Sequence, residues 1–404
     1  MLPFRRVVPL VLTVVVVLSV GLYFGVHALL SDAAASQKPR KPVNINDVIK
    51  TTATVLTLIG AALAGLYAYR KQLLAEGDAH RADANQLADR YTTAAGQLGH
   101  DTPAVRLAGV YALARLADDW PEQRQVCIDV LCAYLRMPYQ PDPAEEGHKA
   151  GEREVRLAII SVIRDHLRDP DVPTCWCACV LDFTRATFDG GDFSESTFCG
   201  RMSFSGTTFS GGSVSFDDAT FSGGSVSFDD ATFSGDTVSF RRAKFHGGQV
   251  QVTFSGATFS GGTVRFNDAE FSGSVPFDHA EFSGSTVTFN DARIKGWASF
   301  VGAKFNGGTV IFSGTAISGS VPFDDAEFSS GRVSFRRTQF LGGTVRFDRA
   351  RFSGSEVTFR SAEFSGGSVS FDTATFSGGS IPFDHATFRG TVFTWGPLPR
   401  PAGS

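Results

Sequence analysis

The sequence predicts three structural parts: two N-terminal transmembrane helices, a small all-α module that resembles helical repeats in its packing, and an all-β solenoid. Three observations carry this prediction. Two long apolar stretches lie near the N-terminus, helix-forming residues dominate residues 71–179, and one twelve-residue pattern recurs from Phe204 to Phe393. A repeat this short cannot bury a core of its own, so its copies must stack on one another.

The segment 1–70 is predicted to form a hairpin of two membrane spans. The apolar stretches cover about residues 7–30 and 51–69, and at 1.5 Å per residue such helices can cross a hydrocarbon core of about 30 Å. A cleaved signal peptide is the alternative for the first stretch, but the second stretch favours two spans. Small residues either let the two helices approach closely or are simply common in membrane helices: Gly21 and Gly25 in the first, and Gly60, Ala61, Ala64 and Gly65 in the second.

The flanking charges give an orientation. Basic residues lie before the first span and after the second, although the connecting loop is basic as well: Arg5, Arg6, Arg70 and Lys71 outside the hairpin, and Lys38, Arg40 and Lys41 within it. An even number of spans returns the chain to the side of its basic N-terminus. We therefore expect a multi-pass protein of the inner (plasma) membrane whose helical module and solenoid are cytoplasmic.

Residues 71–179 form the predicted helical module. A loose heptad over residues 71–98 indicates either a coiled coil, which would allow a homo-oligomer, or an amphipathic helix that docks on its own domain. Helix starts are predicted at Asp101-Thr-Pro103 and at Asp118-Asp-Trp-Pro121. A third helix is expected over about Glu152 to Leu167.

Residues 180–394 form the predicted solenoid, and residues 395–404 form a proline-rich tail that should cover its last coil. Small or β-branched residues two positions before the phenylalanines share their inward face, while polar residues between them point out. Phe-Asp-Asp-Ala steps should turn tight corners, and Gly-Gly pairs should turn wider ones. These pairs lie at 211–212, 223–224, 247–248, 261–262, 342–343, 366–367 and 378–379.

The start of the solenoid resembles the pentapeptide-repeat family. Phe183, Phe188, Phe193 and Phe198 recur every five residues, and Ala186-Thr-Phe188 is similar to the family's repeat centre. The resemblance implies a right-handed, four-sided β-helix. Beyond Phe209, two residues are added to every second unit. Two repeats would then make one coil, about 24 residues long, with Gly-Gly bulges at opposite corners. A flattened coil of a single twelve-residue repeat is the competing geometry.

The whole chain resembles membrane-anchored actinobacterial pentapeptide-repeat proteins. The helical part of this resemblance rests on three runs: Arg90-Tyr-Thr-Thr-Ala-Ala-Gly-Gln-Leu-Gly-His100, Ala104-Val-Arg-Leu-Ala-Gly-Val-Tyr-Ala-Leu-Ala-Arg-Leu-Ala-Asp118 and Val130-Leu-Cys-Ala-Tyr-Leu-Arg136. It supplies no catalytic residues, and we predict no catalytic, cofactor-binding or metal-ligating residue in this chain.

The candidate chemical groups are few. Cys175, Cys177 and Cys179, with Cys199 further on, could form a metal or redox site, but a one-residue spacer does not match structural zinc pairs. The competing interpretation places these cysteines on the first strand as packing residues. Asp-Asp pairs at 217–218, 229–230 and 324–325 indicate turns rather than calcium sites. The scattered histidines have no nucleophile spaced for a triad: His100, His148, His166, His246, His279 and His385.

Three functions remain open. We favour a non-enzymatic, membrane-anchored scaffold that binds a protein partner through the solenoid. The family resemblance also implies a DNA mimic directed at type II topoisomerases, and the cysteines leave a metal or redox protein as the third. Residues 181–393 hold 22 acidic against 17 basic side chains, a net charge of −5. A surface this mixed provides little of the sustained negative potential that a mimic needs, so no nucleic-acid partner is expected.

Overall fold

The computed structural model describes residues 4–36, 44–246 and 251–400, with side chains from residue 13 onwards except at 76–82 and 251. The chain divides into two compact units, Met1–Gln86 and Leu87–Ser404. The fold class predicted from the sequence is confirmed: helices at the N-terminus are followed by a parallel β-solenoid.

The first unit holds two long helices, α1 over Phe4–Ala35 and the start of α2, which runs over Ile45–Leu98. Segments Thr13–Ala35 and Ile45–Ala75 are long and apolar enough to cross a membrane. In this unit Val48 and Thr52 of α2 are buried.

The prediction that glycines bring the two helices together is wrong. A Cβ atom added at Gly21, Gly25, Gly60 or Gly65 meets no neighbouring atom within 4 Å. An open cavity of about 350 Å³ lies between the helices instead. Its lining includes Tyr23 of α1 and Leu56 of α2. Small residues bring helices close only where they face each other.

The second unit begins with the helical module. After the end of α2 come α3 over Pro103–Asp119, a 3₁₀ turn over Pro121–Gln123, α4 over Arg124–Arg136 and α5 over Glu152–Leu167. Ala94 and Leu98 are buried in the core of this unit. This burial supports the interpretation that the end of α2 docks on its own domain.

Arg156 of α5 caps the C-terminal end of α4. Its guanidinium is buried and donates hydrogen bonds to the main-chain oxygens of Leu135, at 2.8 Å, and Met137, at 3.0 Å. It also lies 4.4 Å from the centre of the Tyr139 ring. Carbonyl groups at a helix end have no partner within the helix, so the arginine satisfies them and joins two helices.

The solenoid core consists of four columns of stacked side chains. Column one begins at Phe183, column two at Phe188, column three at Phe193 and column four at Phe198, and each column receives one side chain from every coil. Rings stack at spacings such as 4.7 Å between Phe204 and Phe228. In column four Ile294 and Ile317 replace two rings without breaking the register.

The core side chains of each column come from one face of the solenoid, and each face carries the number of its column. Faces two and three merge into one sheet, because the strands continue around their shared corner from Lys304 onwards. Face one contains Leu181–Asp182, Met202–Ser203, Ser225–Ser227, Gln251–Thr253, Val321–Pro322, Thr344–Arg346, Ser368–Ser370 and Val392–Thr394. Face two contains Thr187–Phe188, Thr208–Phe209, Thr232–Phe233, Thr258–Phe259 and Glu281–Phe282. Face three contains Gly191–Asp192, Val214–Ser215, Thr237–Ser239, Thr263–Arg265 and Thr286–Thr288. Strands shared by both faces are Lys304–Ile311, Glu327–Ser334, Arg351–Thr358 and Thr375–Ser380. Face four contains Thr197–Phe198, Thr220–Phe221, Lys244–Phe245, Glu270–Phe271, Arg293–Ile294, Ala316–Ile317, Gln339–Phe340, Glu363–Phe364 and Thr387–Phe388.

The pairing register decides between the two coil lengths. Phe188 pairs with Phe209, and Phe233 pairs with Phe259. In both cases the chain passes the other three columns before it returns to column two. Each coil therefore holds four core positions, and the longer of the two predicted coils is the one that forms. The segment from Phe233 to Phe259 is the longer of these two, and the columns stay in register across it.

Two kinds of corner alternate around each coil. After columns one and three the chain makes a tight turn. In one such turn the Ala219 N–H donates to the Phe216 oxygen at 3.2 Å, and the backbone of Asp218 is in the left-handed conformation. After columns two and four it makes a wider, glycine-containing turn. The second glycine has positive φ in the pairs at 223–224, 261–262, 342–343, 366–367 and 378–379, but not at 211–212. The pair at 247–248 lies outside the described residues.

The last coil is partly covered by the tail. Trp395 takes the next position in column one, with only 8% of its surface exposed, and stacks on Phe393 at 3.8 Å. Leu398 also packs against the core. The predicted cover therefore forms, although three rings of the last coil remain half-buried: Phe376, Phe383 and Phe388.

Replacing Gly343 by alanine should destabilise the solenoid more than replacing Gly390. Both glycines have positive φ, +68° and +66°, but a Cβ atom at Gly343 would lie 2.0 Å from the Gly319 oxygen, whereas at Gly390 it meets nothing within 4 Å. We expect Gly343→Ala to cost about 1–3 kcal/mol more, as overpacking does. Urea unfolding of both variants checks this, and equal losses would contradict it.

The stacking energy can be tested with Phe312→Ile and Phe271→Ile. Phe312 stacks on two rings, Phe289 and Phe335, while Phe271 stacks on Phe245 alone, because Ile294 follows it. We expect the Phe312 variant to lose about 0.5–1.5 kcal/mol more stability, the value of one aromatic pair. Denaturant unfolding measures the difference, and a larger loss for Phe271→Ile would refute the stacking account.

Candidate interaction site

The helical module closes the first coil through four ion pairs. Arginines from the helices and from the segments beside them meet acidic side chains of the coil: Arg136 with Asp182, Arg153 with Asp189, Arg164 with Asp192 and Arg168 with Glu195. Apolar contacts lie beneath the pairs, where Ile160 packs against the backbone of Gly191. The first coil is therefore covered, and its unpaired strand edge is not available for binding.

The cysteines lie in the junction between the helices and the first coil. The interpretation that places them on the first strand is wrong, because residues 175–179 form turns and the first strand begins at Leu181. The Cys179 N–H donates to the Trp176 oxygen at 2.9 Å, which closes one of these turns. The Cys177 oxygen accepts the N–H of Cys199 at 3.0 Å and so joins the junction to the coil.

The thiols lie in two environments. The Cys175 sulfur accepts the Cys177 N–H at 3.1 Å, and Cys177 is joined to Cys199 through the main chain, whereas Cys179 lies near Arg124. Burial raises the pKa of Cys177, Cys179 and Cys199, which favours the neutral thiol over the nucleophilic thiolate. Within residues 4–36, 44–246 and 251–400, no three His, Cys, Asp or Glu side chains are grouped to hold a metal ion.

Trp176, between two of these cysteines, is fully buried and stacks on the His166 ring at 4.1 Å. The His166 Nε2 atom lies 3.2 Å from Asp118 Oδ2, and the Nδ1 atom lies 2.7 Å from the Val162 oxygen. Both ring nitrogens thus have partners within the helical module. The structure explains His166 as a packing residue that joins α3, α5 and the junction.

The Asp-Asp pairs act as corner residues. The Asp217 Oδ1 atom accepts the Arg241 N–H of the next coil at 3.0 Å, and Asp218 pairs with Arg242. The pair at 324–325 is engaged in the same way, by the arginines at 346 and 349. These carboxylates bind neighbouring coils, which leaves them poorly placed to ligate a cation.

Ion pairs also join successive coils along the outer surface. Seven such pairs occur among the described residues of the solenoid: Arg242–Asp218, Lys295–Glu270, Arg332–Glu356, Arg346–Asp324, Arg349–Asp325, Arg351–Glu327 and Arg360–Asp384. With the four pairs at the first coil, half of the 22 acidic side chains face a cation. The surface therefore presents alternating charge.

Face one carries an exposed tryptophan that the sequence patterns did not single out. Trp297 bridges Ser274 and Ser320 on the neighbouring coils and is 41% exposed. With Pro322 and Arg346 it lines a shallow groove of about 250 Å³. In the sequence, this residue could have been recognised because tryptophan replaces a small polar residue at one outward position of the repeat.

Loss of the Arg242 and Arg349 side chains should flatten the acid dependence of stability. Each arginine donates two hydrogen bonds to its aspartate, and these bonds lower the pKa of Asp218 and Asp325. A lowered folded-state pKa adds stability above the unfolded-state value of about 4, and this stability is lost as the pH falls through the lower folded-state value.

We therefore expect the unfolding temperature of the parent to fall more between pH 6 and pH 3 than that of the Arg242→Gln, Arg349→Gln double variant. The difference should be small, because exposed ion pairs contribute little. Arg336→Gln is the control, since no ion pair forms at this arginine within the described solenoid. Superimposable pH profiles for parent and double variant would refute the assignment.

The solenoid also matches a known repeat family in sequence. Residues 266–311 match the family model described as "Pentapeptide repeats (9 copies)". No curated protein and no solved structure gives a significant match to the chain. The matched residues lie in the middle of the stacked columns, so this stretch of the β-solenoid is similar in sequence to pentapeptide repeats.

Proposed function

We propose that this protein is a non-enzymatic scaffold, anchored in the membrane by α1 and the first part of α2, that presents its solenoid to a protein partner. The observation that carries the proposal is that one chain holds two exposed, apolar helices and a repeat surface on which half of the acidic side chains are paired with a cation. Thiols that favour the neutral form and corner carboxylates engaged by neighbouring coils support a role in binding rather than chemistry.

The helices of the first unit are suited to lipid. Large apolar side chains such as Val17 and Leu18 are each 65% exposed, which is unfavourable in water. The hydroxyl groups of Ser19, Thr54 and Thr57 donate to main-chain oxygens four residues earlier, so they need no water partner. A basic N-terminus and an even number of spans favour a cytoplasmic position for the helical module and solenoid.

The groove around Trp297 is the part of the solenoid that we assign to the partner. Tryptophan and arginine are enriched at the centres of protein interfaces, where they contribute most of the binding energy. Trp297 and Arg346 lie together in this groove, and Arg346 is held by Asp324 at 2.6 Å. Leu341, on the corner that leads into this face, adds apolar surface and is 47% exposed.

The paired carboxylates weigh against the alternative of a topoisomerase-directed mimic. DNA presents an unbroken series of negative charges, whereas here Arg242, Arg349 and Arg351 interrupt the acidic positions. A supercoiling assay with gyrase distinguishes the two functions: a scaffold leaves supercoiling unchanged at micromolar concentration, and inhibition would favour the mimic.

Membrane anchoring is tested on the expressed full-length chain. We expect the protein to stay in the membrane pellet after alkaline extraction, and external protease to degrade the solenoid only in inverted vesicles. Replacement of Val16 and Val17 by aspartate should release part of the protein, because each charge at mid-membrane costs about 2.5–3.5 kcal/mol. A wild-type chain that appears in the soluble fraction would exclude the anchor.

The partner surface is tested with Trp297→Ser. Serine occupies the equivalent position in both neighbouring coils, at 274 and 320, so this change should leave the unfolding temperature unaltered. Crosslinking in membranes, followed by purification, should recover a specific partner with the parent and at least about tenfold less with the variant, as expected for a hot-spot residue. Lys304→Ser on face two is the matched control. Equal recovery from all three proteins would exclude this groove.

A further inference from the structure

The C-terminal end of the solenoid leaves one long strand without a second partner. Thr375–Ser380, the last strand shared by faces two and three, pairs only with Arg351–Thr358 of the preceding coil. Five of its six residues are exposed, and the sixth, Phe376, is half-buried. Proteins usually protect such an edge with charged side chains, proline or a covering segment. This strand carries neither charge nor proline, so its edge is open to another strand.

The open edge presents main-chain groups of the kind that every earlier coil uses to hold the next one. On the preceding coil, the Ala350 oxygen accepts the Thr375 N–H at 2.9 Å. Column-two oxygens act in the same way, and the Phe233 oxygen accepts an N–H group of the next coil at 3.0 Å. On the last coil the equivalent oxygens belong to Ala374 and Phe376. No strand follows them in the part of the chain that the structure describes, so they are available to the N–H groups of an added strand.

Column two ends on a ring that is stacked on one side only. Phe352, one coil earlier, stacks on rings on both sides, 4.6 Å from Phe328 and 4.7 Å from Phe376. Phe376 itself has no further ring contact among the described residues. A large apolar side chain placed above it would bury its exposed surface, and an aromatic one would add a stacked pair. The edge thus offers one apolar position together with its main-chain groups.

The tail fills only part of the layer above the last coil. From its place in column one, Trp395 contacts the rings of columns three and four edge to face, Phe383 at 5.4 Å and Phe388 at 5.6 Å. It makes no ring contact with Phe376. An end-on contact between two solenoids would have to accommodate the tail of each copy, whereas a single strand can lie beside it. The open part of the end therefore favours one extended segment over a second solenoid.

The corner that follows column two adds a size requirement. On the last two coils it carries Gly354 and Gly378, where an added Cβ atom would lie 2.3 Å from the Ser329 oxygen and 2.5 Å from the Ser353 oxygen, respectively. Each coil thus approaches the preceding one too closely for a side chain at this position. The same corner of an added strand lies above Ser377, so its residue two positions after the apolar one should be glycine.

We propose that this edge binds an extended, uncharged peptide segment of another protein, which adds as a parallel strand to Thr375–Ser380. Main-chain bonds to the Ala374 and Phe376 oxygens supply affinity, while an aromatic residue on Phe376 and a glycine two positions later supply specificity. Parallel addition follows from the solenoid, because each coil lies parallel to the one before it. The site lies at the end of the solenoid, apart from the groove around Trp297, and does not depend on that groove.

The test uses the full-length protein in lipid nanodiscs and a fluorescent heptapeptide, Ala-Thr-Phe-Ser-Gly-Gly-Ser, which repeats the sequence of residues 374–380. Fluorescence anisotropy, with empty nanodiscs subtracted, should give saturable binding at one site. Three altered peptides should bind at least about tenfold more weakly. One has serine in place of phenylalanine, one has valine in place of the first glycine, and one has proline on both sides of the phenylalanine, which removes the N–H groups that face the edge. No saturable binding of the first peptide, or parent-like binding of any altered peptide, would overturn the proposal.

Two variants locate the site. Phe376→Ser removes the ring at the end of column two and should weaken binding of the first peptide at least about tenfold. Phe388→Ser removes a half-buried ring of the same coil from the opposite column, so it is the matched control and should bind as the parent does. Unfolding temperatures establish that both variants are folded, and the altered peptides test the same contacts on the parent alone. Equal binding by the parent and folded Phe376→Ser would refute the assignment.

Self-association through the same edge is the competing outcome. Sedimentation of the full-length protein in detergent should give the same mass for the parent and for Phe376→Ser. A dimer of the parent that Phe376→Ser abolishes would assign the edge to a second copy and overturn the peptide proposal.

Discussion

Ring-on-ring stacking at the spacing of adjacent β-strands is the interaction on which the rest of this structure depends. Parallel strands lie about 4.7–4.9 Å apart, and a phenylalanine placed in register on successive coils therefore meets its neighbour at a favourable offset. Phe340 and Phe364 stack at 4.6 Å, and Phe312 also meets Phe300 edge to face at 5.9 Å. Each ring thus buries its own surface and fixes the register of the coil that follows.

The outer surface is free to vary because the inside is fixed. The longer coil from Phe233 to Phe259 stacks on its neighbours in the same register as the shorter coil from Phe188 to Phe209 does. An outward position can then change from serine to Trp297 and back to serine without any disturbance of the columns. This separation of core from surface lets one repeat present a local binding groove.

In-register stacking also constrains charge. Outward side chains at equivalent positions lie one strand spacing apart, so like charges in succession would repel each other. Face two alternates instead, with Glu281 paired in register with Lys304, Lys304 with Glu327, and Glu327 with Arg351. The arginines of the helical module neutralise the acidic first coil in the same manner. The surface is mixed in charge for this structural reason.

Features that depend on local pattern could be predicted from the amino-acid order alone, whereas those that need two distant segments to meet required the folded chain. The period of the phenylalanines specified stacked columns, Thr102-Pro103 marked the start of α3, and the expected ends of α5 at Glu152 and Leu167 are confirmed. Coil length, in contrast, depends on which phenylalanine lies above Phe188, and periodicity allowed either one or two repeats per coil. The glycines of α1 and α2 face open space, because composition alone does not specify which side of one helix meets the other. The ion pair between Arg106 of α3 and Glu152 of α5 likewise exists only because two helices that are distant in the sequence meet, which no local pattern specifies.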